Sequence, residues 1–339
     1  MVILTVAAGE HRGLKMLTGR EVIQNTVKKL EQDAILPFQS LRPTLAVIHQ
    51  SDIEETGEDS YLKSLRSTGS LYGAIVDDYI ANTPFEVAQM ITAAASKPQV
   101  HGIIIISDYG NMNRTLYNLI PVRLDIDSLS AASLGNLVGN ISPIAYRNAP
   151  CTAVACMKIM ETLHESEDFS GQRCLILGRS VRVGRPLAEI LTQKNMTVTL
   201  AHSKSNEIAS DPYNWNYIVS AIGKPKYWGK DNPLYIKSYG KNCIIDVGMN
   251  YDDTGKLCGD VDREWFENEL TTQNNWSDSF ITPVTGGVGK ITTTVLFAKL
   301  FNNAADFFRN AAGLFQEPPK IVPQPQEEQE QQPQIMIQE

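Results

Sequence analysis

The chain has 339 residues, 42% of them hydrophobic, and carries 30 Lys and Arg against 38 Asp and Glu for a formal net charge of −8. That is enough apolar material for two domains with their own cores, while the acidic balance offers no global basic field for nucleic acid. No apolar run is long enough to span a membrane, and five cysteines without a CxxC pair make neither a zinc spacing nor an evident disulfide framework.

The N-terminal MVILTVAAGEHRG lacks a basic region before its short apolar run, so it reads as a poor secretory signal and a cytoplasmic, reducing location is expected. The cysteines are then buried free thiols. Residues 20–32 read as a helix, TLAVIH (44–49) as a buried strand, 59–70 and 84–97 as helices, and HGIIIIS (101–107) as a second strand. SPIAYRNAPC carries two prolines and marks a domain break around residues 143–151. A helix at 152–164 follows, then RCLILG (173–178), a helix at 185–195, MTVTLAH (196–202), YIVSAIG (217–223) and CIIDVG (243–248). Continuous β-branched runs of this length suit parallel strands covered on both faces, and their alternation with helices implies an α/β fold. An apolar helix is expected over 290–315. After Gln316 the composition turns to Pro, Gln and Glu, which cannot bury enough surface to order itself, so 316–339 is expected to be a disordered tail. His49 and His101 read as strand-end residues with satisfied partners, and the five histidines form no metal cluster.

The best local signal is RCLILGRSVRVGRPLAEIL. A strand ends at Gly178, Arg179 and Ser180 follow in a short loop, and Gly184 opens a helix with Pro186 in its first turn. Strand, glycine loop and helix place free N–H groups and the helix dipole where a phosphate can sit. The spacing is GxSxxxG rather than GxGxxG, so a tight strand-to-helix turn without a ligand also accounts for it. The next strand ends at His202, Ser203 and Lys204, with no acid before Glu207 to take the ribose 2′-hydroxyl of NAD. Arg179 with a hydroxyl and a lysine nearby suits a 2′-phosphate, which favours NADP.

LTGREV (17–22), SYLKSLRSTGSLYG (60–73), HGIIII (101–106), LDIDS (124–128), PCTAVAC (150–156), GRSVRVGRPLAEIL (178–191), VTLAHSKS (198–205), CIIDVGMN (243–250), GKLCGDVD (255–262) and ITPVTGGVGKIT (281–292) together carry a family likeness. The chain resembles the bifunctional methylenetetrahydrofolate dehydrogenase/cyclohydrolase (FolD) family. The resemblance implies two domains around a cleft. Residues 1–150 with 285–315 would bind a tetrahydrofolate derivative, and 151–284 would form a Rossmann-type doubly wound parallel sheet binding NADP. Gly178, Arg179, Ser180, Gly184, His202 and Ser203 would contact the nucleotide, with Arg179 and Ser203 at its 2′-phosphate. Gly286, Gly287 and Gly289 would let the backbone approach nicotinamide and folate. Tyr61 and Asp127 would serve the folate site as catalytic residues. A homodimer is also implied.

Two departures fall in one constellation. The family places a catalytic lysine four residues after the tyrosine; here that position is Leu65. On a helix, Lys63 and Arg66 point about 160° and 100° away from it. The family glutamine after the strand is replaced by Ile106. Neither Leu nor Ile can move a proton or donate a hydrogen bond. Asp127 matches the family aspartate that faces the pterin, although Leu124 and Ser128 replace a lysine and a glycine, and Asp125, Asp127 and Ser128 all suit a helix cap as well. Ala153, Thr285 and Lys290 stand where the family has prolines. The expected function is an NADP-dependent methylenetetrahydrofolate dehydrogenase with cyclohydrolase activity weak or lost. A fully bifunctional enzyme and a catalytically silent binding paralogue are the alternatives.

Overall fold

The computed structural model describes residues 19–51, 59–139, 147–205, 215–232, 242–272 and 279–311. The N-terminal segment and the Pro/Gln/Glu tail lie outside them, as do residues 143–146 of the expected domain break. Helix α1 spans Gly19–Leu30. Strand β1, Thr44–His49, is buried along its whole length. It lies between β2, Ile75–Ile80, and β3, Val100–Ile105, in a parallel sheet of order β2-β1-β3. Alternation along these strands divides them between two cores. Ala46, Ile48, Ile103 and Ile105 pack beneath α3, Pro84–Ala95, whereas Leu45, Val47 and Ile104 face the opposite side. Helix α3 starts where its sequence says it should. Thr83 and Glu86 form a reciprocal capping box and Pro84 occupies the first turn. The edge strand β2 escapes a reading by hydropathy, because IVDDYI places two acids mid-strand and is only partly covered.

The second sheet has order β10-β7-β6-β4-β5 and every pairing is parallel. Its strands are β4 (Arg173–Leu177), β5 (Thr197–Ala201), β6 (Tyr217–Ser220), β7 (Asn242–Asp246) and β10 (Ser279–Ile281). The chain runs from β4 outward to β5, then crosses to β6 on the other side of β4. That reversal is a topological switch point, and its crevice lies at the carboxyl ends of the strands. A short antiparallel pair, β8 (Asn250–Tyr251) with β9 (Leu257–Cys258), follows β7.

The remaining helices are α2 (Asp59–Tyr72), α4 (Asn113–Leu119), α5 (Ala131–Val138), α6 (Cys151–His164), α7 (Gly184–Gln193), α8 (Arg263–Thr272) and α9 (Val288–Ala311). Helix α9 leaves the second sheet after β10 and packs on α6, α1 and β3, which belongs to the first sheet. All five cysteines are buried free thiols. Among the described residues no helix is long and apolar enough to cross a membrane. His49 and His101 each use one ring nitrogen, Nδ1, on a backbone group, and Nε2 of both is buried without a hydrogen bond, that of His49 lying 3.8 Å from Asp78 Oδ1, so the expectation of satisfied rings holds only in part.

Candidate functional site

The sheets' loops meet in a cleft of about 730 Å³. One wall is the segment after β3, including Ile106, Ser107 and Asp108, with Arg114 and Tyr117 of α4. The other wall is the glycine loop between β4 and α7, through Ser180, Val181 and Arg182.

The glycine loop is held by close backbone approach. Gly178 has φ +115°, and a Cβ on it would lie 2.3 Å from Ala221 O. A Cβ on Gly184 would lie 1.9 Å from Gly178 O. Only glycine permits this turn to fold tightly onto the start of α7. Ser180 Oγ accepts from Val183 N at 3.1 Å, which closes the loop. Arg179 is exposed on it. At the end of β5, His202 Nδ1 accepts from Lys204 N (3.1 Å) and Ser205 Oγ from His202 N (3.0 Å), so a compact turn displays exposed Ser203 and Lys204. Gly286 has φ +71° and Gly287 packs on Pro283 O, while a Cβ on Gly289 would meet nothing within 4 Å. Exposed Gly289, inside a helix and unneeded by its own neighbours, leaves open space at the N-terminus of α9. A phosphate-bearing dinucleotide fits this arrangement through the positive end of the α7 dipole, Arg179 on the loop and the exposed Ser203 and Lys204 after β5, although Arg185 N is already given to Ser180 O and Val183 N to Ser180 Oγ.

The Asp127 loop is the other half of the site. Asp125 does the bracing: its carboxylate accepts from Leu129 N (3.2 Å), Ser130 N (2.9 Å) and Ser133 Oγ (2.7 Å), while Ser130 caps α5. Asp125 thus braces the turn before α5, whose N-cap is Ser130, while Asp127 meets the N-terminus of α6. Asp127 Oδ1 accepts from Cys151 N at 3.4 Å, at the N-terminus of α6. Its Oδ2 accepts from Arg182 Nη1 at 3.1 Å, across the cleft. Arg182 Nη2 donates to Tyr117 Oη at 2.6 Å, and the guanidinium lies 5.6 Å from the centre of that ring. Burial pushes the Asp127 carboxyl above its usual range, and Arg182 and Lys299 pull it back. Tyr61 sits close enough for Asp127 and Cys151 to add to the burial that drives its phenol well above the ordinary tyrosine range. It stays protonated. The Cys151 thiol is pushed up to about 12, chiefly by burial, and is inert as a nucleophile.

Lys299 of α9 is buried, and its Nζ donates to Ile126 O (3.2 Å), Ser128 Oγ (3.0 Å) and Ala149 O. Ser128 holds φ +55°, the left-handed region that favours glycine. Leu65 is fully buried in the core, and Ile106 lines the cleft. Lys63 and Arg66 are exposed, and Arg66 pairs with Asp78 on β2, so neither stands in for the missing lysine.

The structure thus brings Tyr61 and Asp127 together, and sets Ser180 on the opposite wall. Arg182, Tyr117 and Lys299 went unread in the sequence. Lys299 left a signal, a lone lysine within TVLFAKLF, where a charge needs a buried partner. Arg182 left none, because its partner lies 55 residues away.

A family model described as "Tetrahydrofolate dehydrogenase/cyclohydrolase, NAD(P)-binding domain" matches residues 150–308. The chain is 31% identical over 279 residues to "Bifunctional protein FolD" of Methylibium petroleiphilum, covering 81% of this chain and 91% of that one. It is 36% identical over 281 residues to the FolD protein of Albidiferax ferrireducens, covering 79% and 88%. Its fold is similar to the crystal structure of the bifunctional 5,10-methylenetetrahydrofolate dehydrogenase/cyclohydrolase from Thermoplasma acidophilum. The TM-score is 0.70 at 28% identity, over 87% of this chain and 100% of that one.

Proposed function

We propose a function from one settled premise: the chain belongs to the FolD family of tetrahydrofolate dehydrogenase/cyclohydrolases. It is an enzyme of one-carbon folate chemistry, and we read its reaction as NADP-dependent oxidation of 5,10-methylenetetrahydrofolate. The observation that carries this reading is the facing of two half-sites across one cleft. The glycine loop at the switch point of the parallel sheet stands opposite Asp127 and its neighbour Tyr61.

Held by the glycine loop with Arg179 and Ser203, oxidised NADP would supply the acceptor for a hydride from the folate methylene carbon. The chain's own work is positional and electrostatic. Asp127 offers a carboxylate to the ring N–H groups of a pterin, and the neutral Tyr61 phenol lies beside it. The α7 N-terminus and the glycine loop receive phosphate. Arg179, Ser203 and Lys204 favour a 2′-phosphate over a bare ribose hydroxyl, which supports NADP. We assign residues 1–150 with 285–315 to the folate-binding unit and 151–284 to the nucleotide-binding unit. A cytoplasmic homodimer accords with this reading.

Hydrolysis of the methenyl product divides two readings. The relatives are named bifunctional, and that supports a dual activity at least as well as a restricted one. What favours the restricted one is Leu65, sealed in the core, together with Ile106 in the cleft, since neither can serve acid–base chemistry. Purified protein given methylenetetrahydrofolate with NADP or NAD, followed at the NAD(P)H and methenyl absorbances, separates them. Reduction with persistent methenyl product marks a dehydrogenase. Prompt decay of that product marks the bifunctional enzyme. A folded sample that reduces neither cofactor sinks both and leaves a binding role.

A further inference from the structure

The mechanism above uses Asp127 but gives no task to the cation that faces it. Arg182 belongs to the nucleotide loop, two residues before α7 begins, yet its side chain crosses to the opposite wall. Its geometry is that of a held group. One guanidinium nitrogen binds the Asp127 carboxylate, another binds the Tyr117 hydroxyl, and the plane lies near the tyrosine ring. The Arg182 side chain is 49% exposed and that of Asp127 24%. A pair at that depth contributes little to folding stability. Its consequence is for the carboxylate.

The two oxygens of Asp127 are fixed from different elements. Oδ1 rests on the first N–H of α6, and Oδ2 on Arg182. Each oxygen keeps a second lone pair for a ligand. With Leu65 buried and Ile106 apolar, the folate-side residues at those two positions supply no charge to the cleft. We propose that Arg182 is a positioning residue for the folate site: from the nucleotide-binding wall it holds Asp127 ionised and oriented for the pterin. The inference rests on the folate reading for its ligand, but not for the Arg182–Asp127 linkage itself.

The groups facing Asp127 come from several elements. Arg182 and Lys299 favour its charged form, and so does the N–H at the start of α6. Asp125 on its own loop opposes it, and the negative charge of Asp127 is in turn felt by Tyr61 of α2 and the Cys151 thiol of α6. Tyr117 of α4 touches Arg182 rather than Asp127. Removing Arg182 leaves burial opposed by Lys299 and the α6 N-terminus alone. The protonation midpoint of Asp127 then rises. For a half-exposed partner the rise is about one pH unit, which is about tenfold in the ionised fraction on the acid side.

Three variants test this: Arg182→Leu, Arg182→Lys and Asp127→Asn. The first readout needs no ligand. Carbon-13 NMR titration of the aspartate carboxyls gives the Asp127 midpoint, assigned by its absence in Asp127→Asn. Arg182→Leu is expected to raise the midpoint by about one pH unit, and Arg182→Lys by less. An unchanged midpoint in Arg182→Leu overturns the proposal. The second readout is binding of 5-formyltetrahydrofolate by fluorescence quenching from pH 5 to 9, beside the pH profile of NADP reduction. Arg182→Leu is expected to lose affinity at the acid end, by up to about tenfold, and to regain it as the pH rises past the shifted midpoint. A loss of the same size at every pH would mean ordinary structural damage or direct ligand contact, and would also overturn it. If Arg182→Leu does not fold, Arg182→Lys carries both readouts. Wild-type protein that neither binds the folate nor reduces NADP defeats the proposed function and the pterin-positioning role together, whereas the carboxyl titration still decides the linkage.

Discussion

Gly184 and Gly289 are both glycines of the proposed nucleotide site, yet they are glycines for opposite reasons. At Gly184 an added methyl would drive into Gly178 O, so alanine there is expected to break the loop itself. At Gly289 an added methyl meets nothing, and the residue sits exposed in the first turn of α9. Helix propensity alone then makes Gly289→Ala neutral or stabilising, by up to about 1 kcal/mol. If the open space belongs to a ligand, the same variant should lose kcat/KM while its urea midpoint holds or rises. Unchanged kinetics would remove Gly289 from the site. The pair Leu65 and Ile106 permits a complementary experiment. A lysine at position 65 alone buries a charge in the core and is expected to lower the unfolding midpoint. The double variant Leu65→Lys with Ile106→Gln adds a polar partner in the cleft and should speed decay of methenyltetrahydrofolate above the wild-type rate. No gain would mean that the cleft has diverged beyond these two positions.

The end of β7 shows how an element is fastened by buried carboxylates. Asp246 Oδ1 accepts from Gly248 N (2.9 Å) and Asp260 N (3.0 Å), and Oδ2 from Val261 N (3.0 Å). Asp260 beside it accepts from Ser220 Oγ, Ile222 N, Lys224 N and Asn250 Nδ2, which ties β6 to the same knot. Gly259 is required here, since a Cβ would lie 1.9 Å from Asp246 Oδ2. Burial, with Asp260 adding to it, raises the Asp246 carboxyl to about 6 despite its N–H donors. The folded protein therefore holds this proton more tightly than the unfolded chain does. Its contribution to stability is fully present below about pH 4 and is lost as pH rises through 6, on the order of 2–3 kcal/mol. Urea unfolding between pH 4 and 7 should show this downward component, and Asp246→Asn should remove it from the slope; identical slopes would show that Asp246 titrates normally. Such a knot is invisible in CIIDVGMN and GKLCGDVD read separately. Strands β1, β3, β4, β6 and β7 were legible because continuous apolar runs leave no other burial pattern. The edge strand β2 was not, because a half-covered strand tolerates Asp77 and Asp78. The glycine loop was legible as geometry, while Arg182 was not, because the sequence carries no trace of which wall a side chain crosses to.

At the scale of the molecule, each sheet has a cluster of its own on its outer face, but their inner faces share one core. Leu45, Val47 and Ile104 of the first sheet belong to one continuous cluster with Cys174, Ile176, Val219 and Ile245 of the second. Helices α6 and α9 fill the space between them, with Met157, Met160, Phe297 and Phe301 fully buried. Arg147 and Asp306 pair between the segment before α6 and the far end of α9. Unfolding either sheet alone would expose part of this shared cluster, so the cost of opening one unit is borne by the other. Chains of this size commonly unfold in more than one step. Here the shared core predicts a single calorimetric transition with matching calorimetric and van't Hoff enthalpies. It also predicts what a ligand of one unit does to the other. NADP at about 100 times its Kd adds about 2.7 kcal/mol to the folded state, which for a chain of this length is about 4 °C in Tm. Because the core is continuous, that rise should appear in the whole transition, and a fluorescence probe placed on the first sheet should follow it. Two resolved transitions, of which NADP moves only one, would show that α6 and α9 join the sheets more loosely than their packing implies.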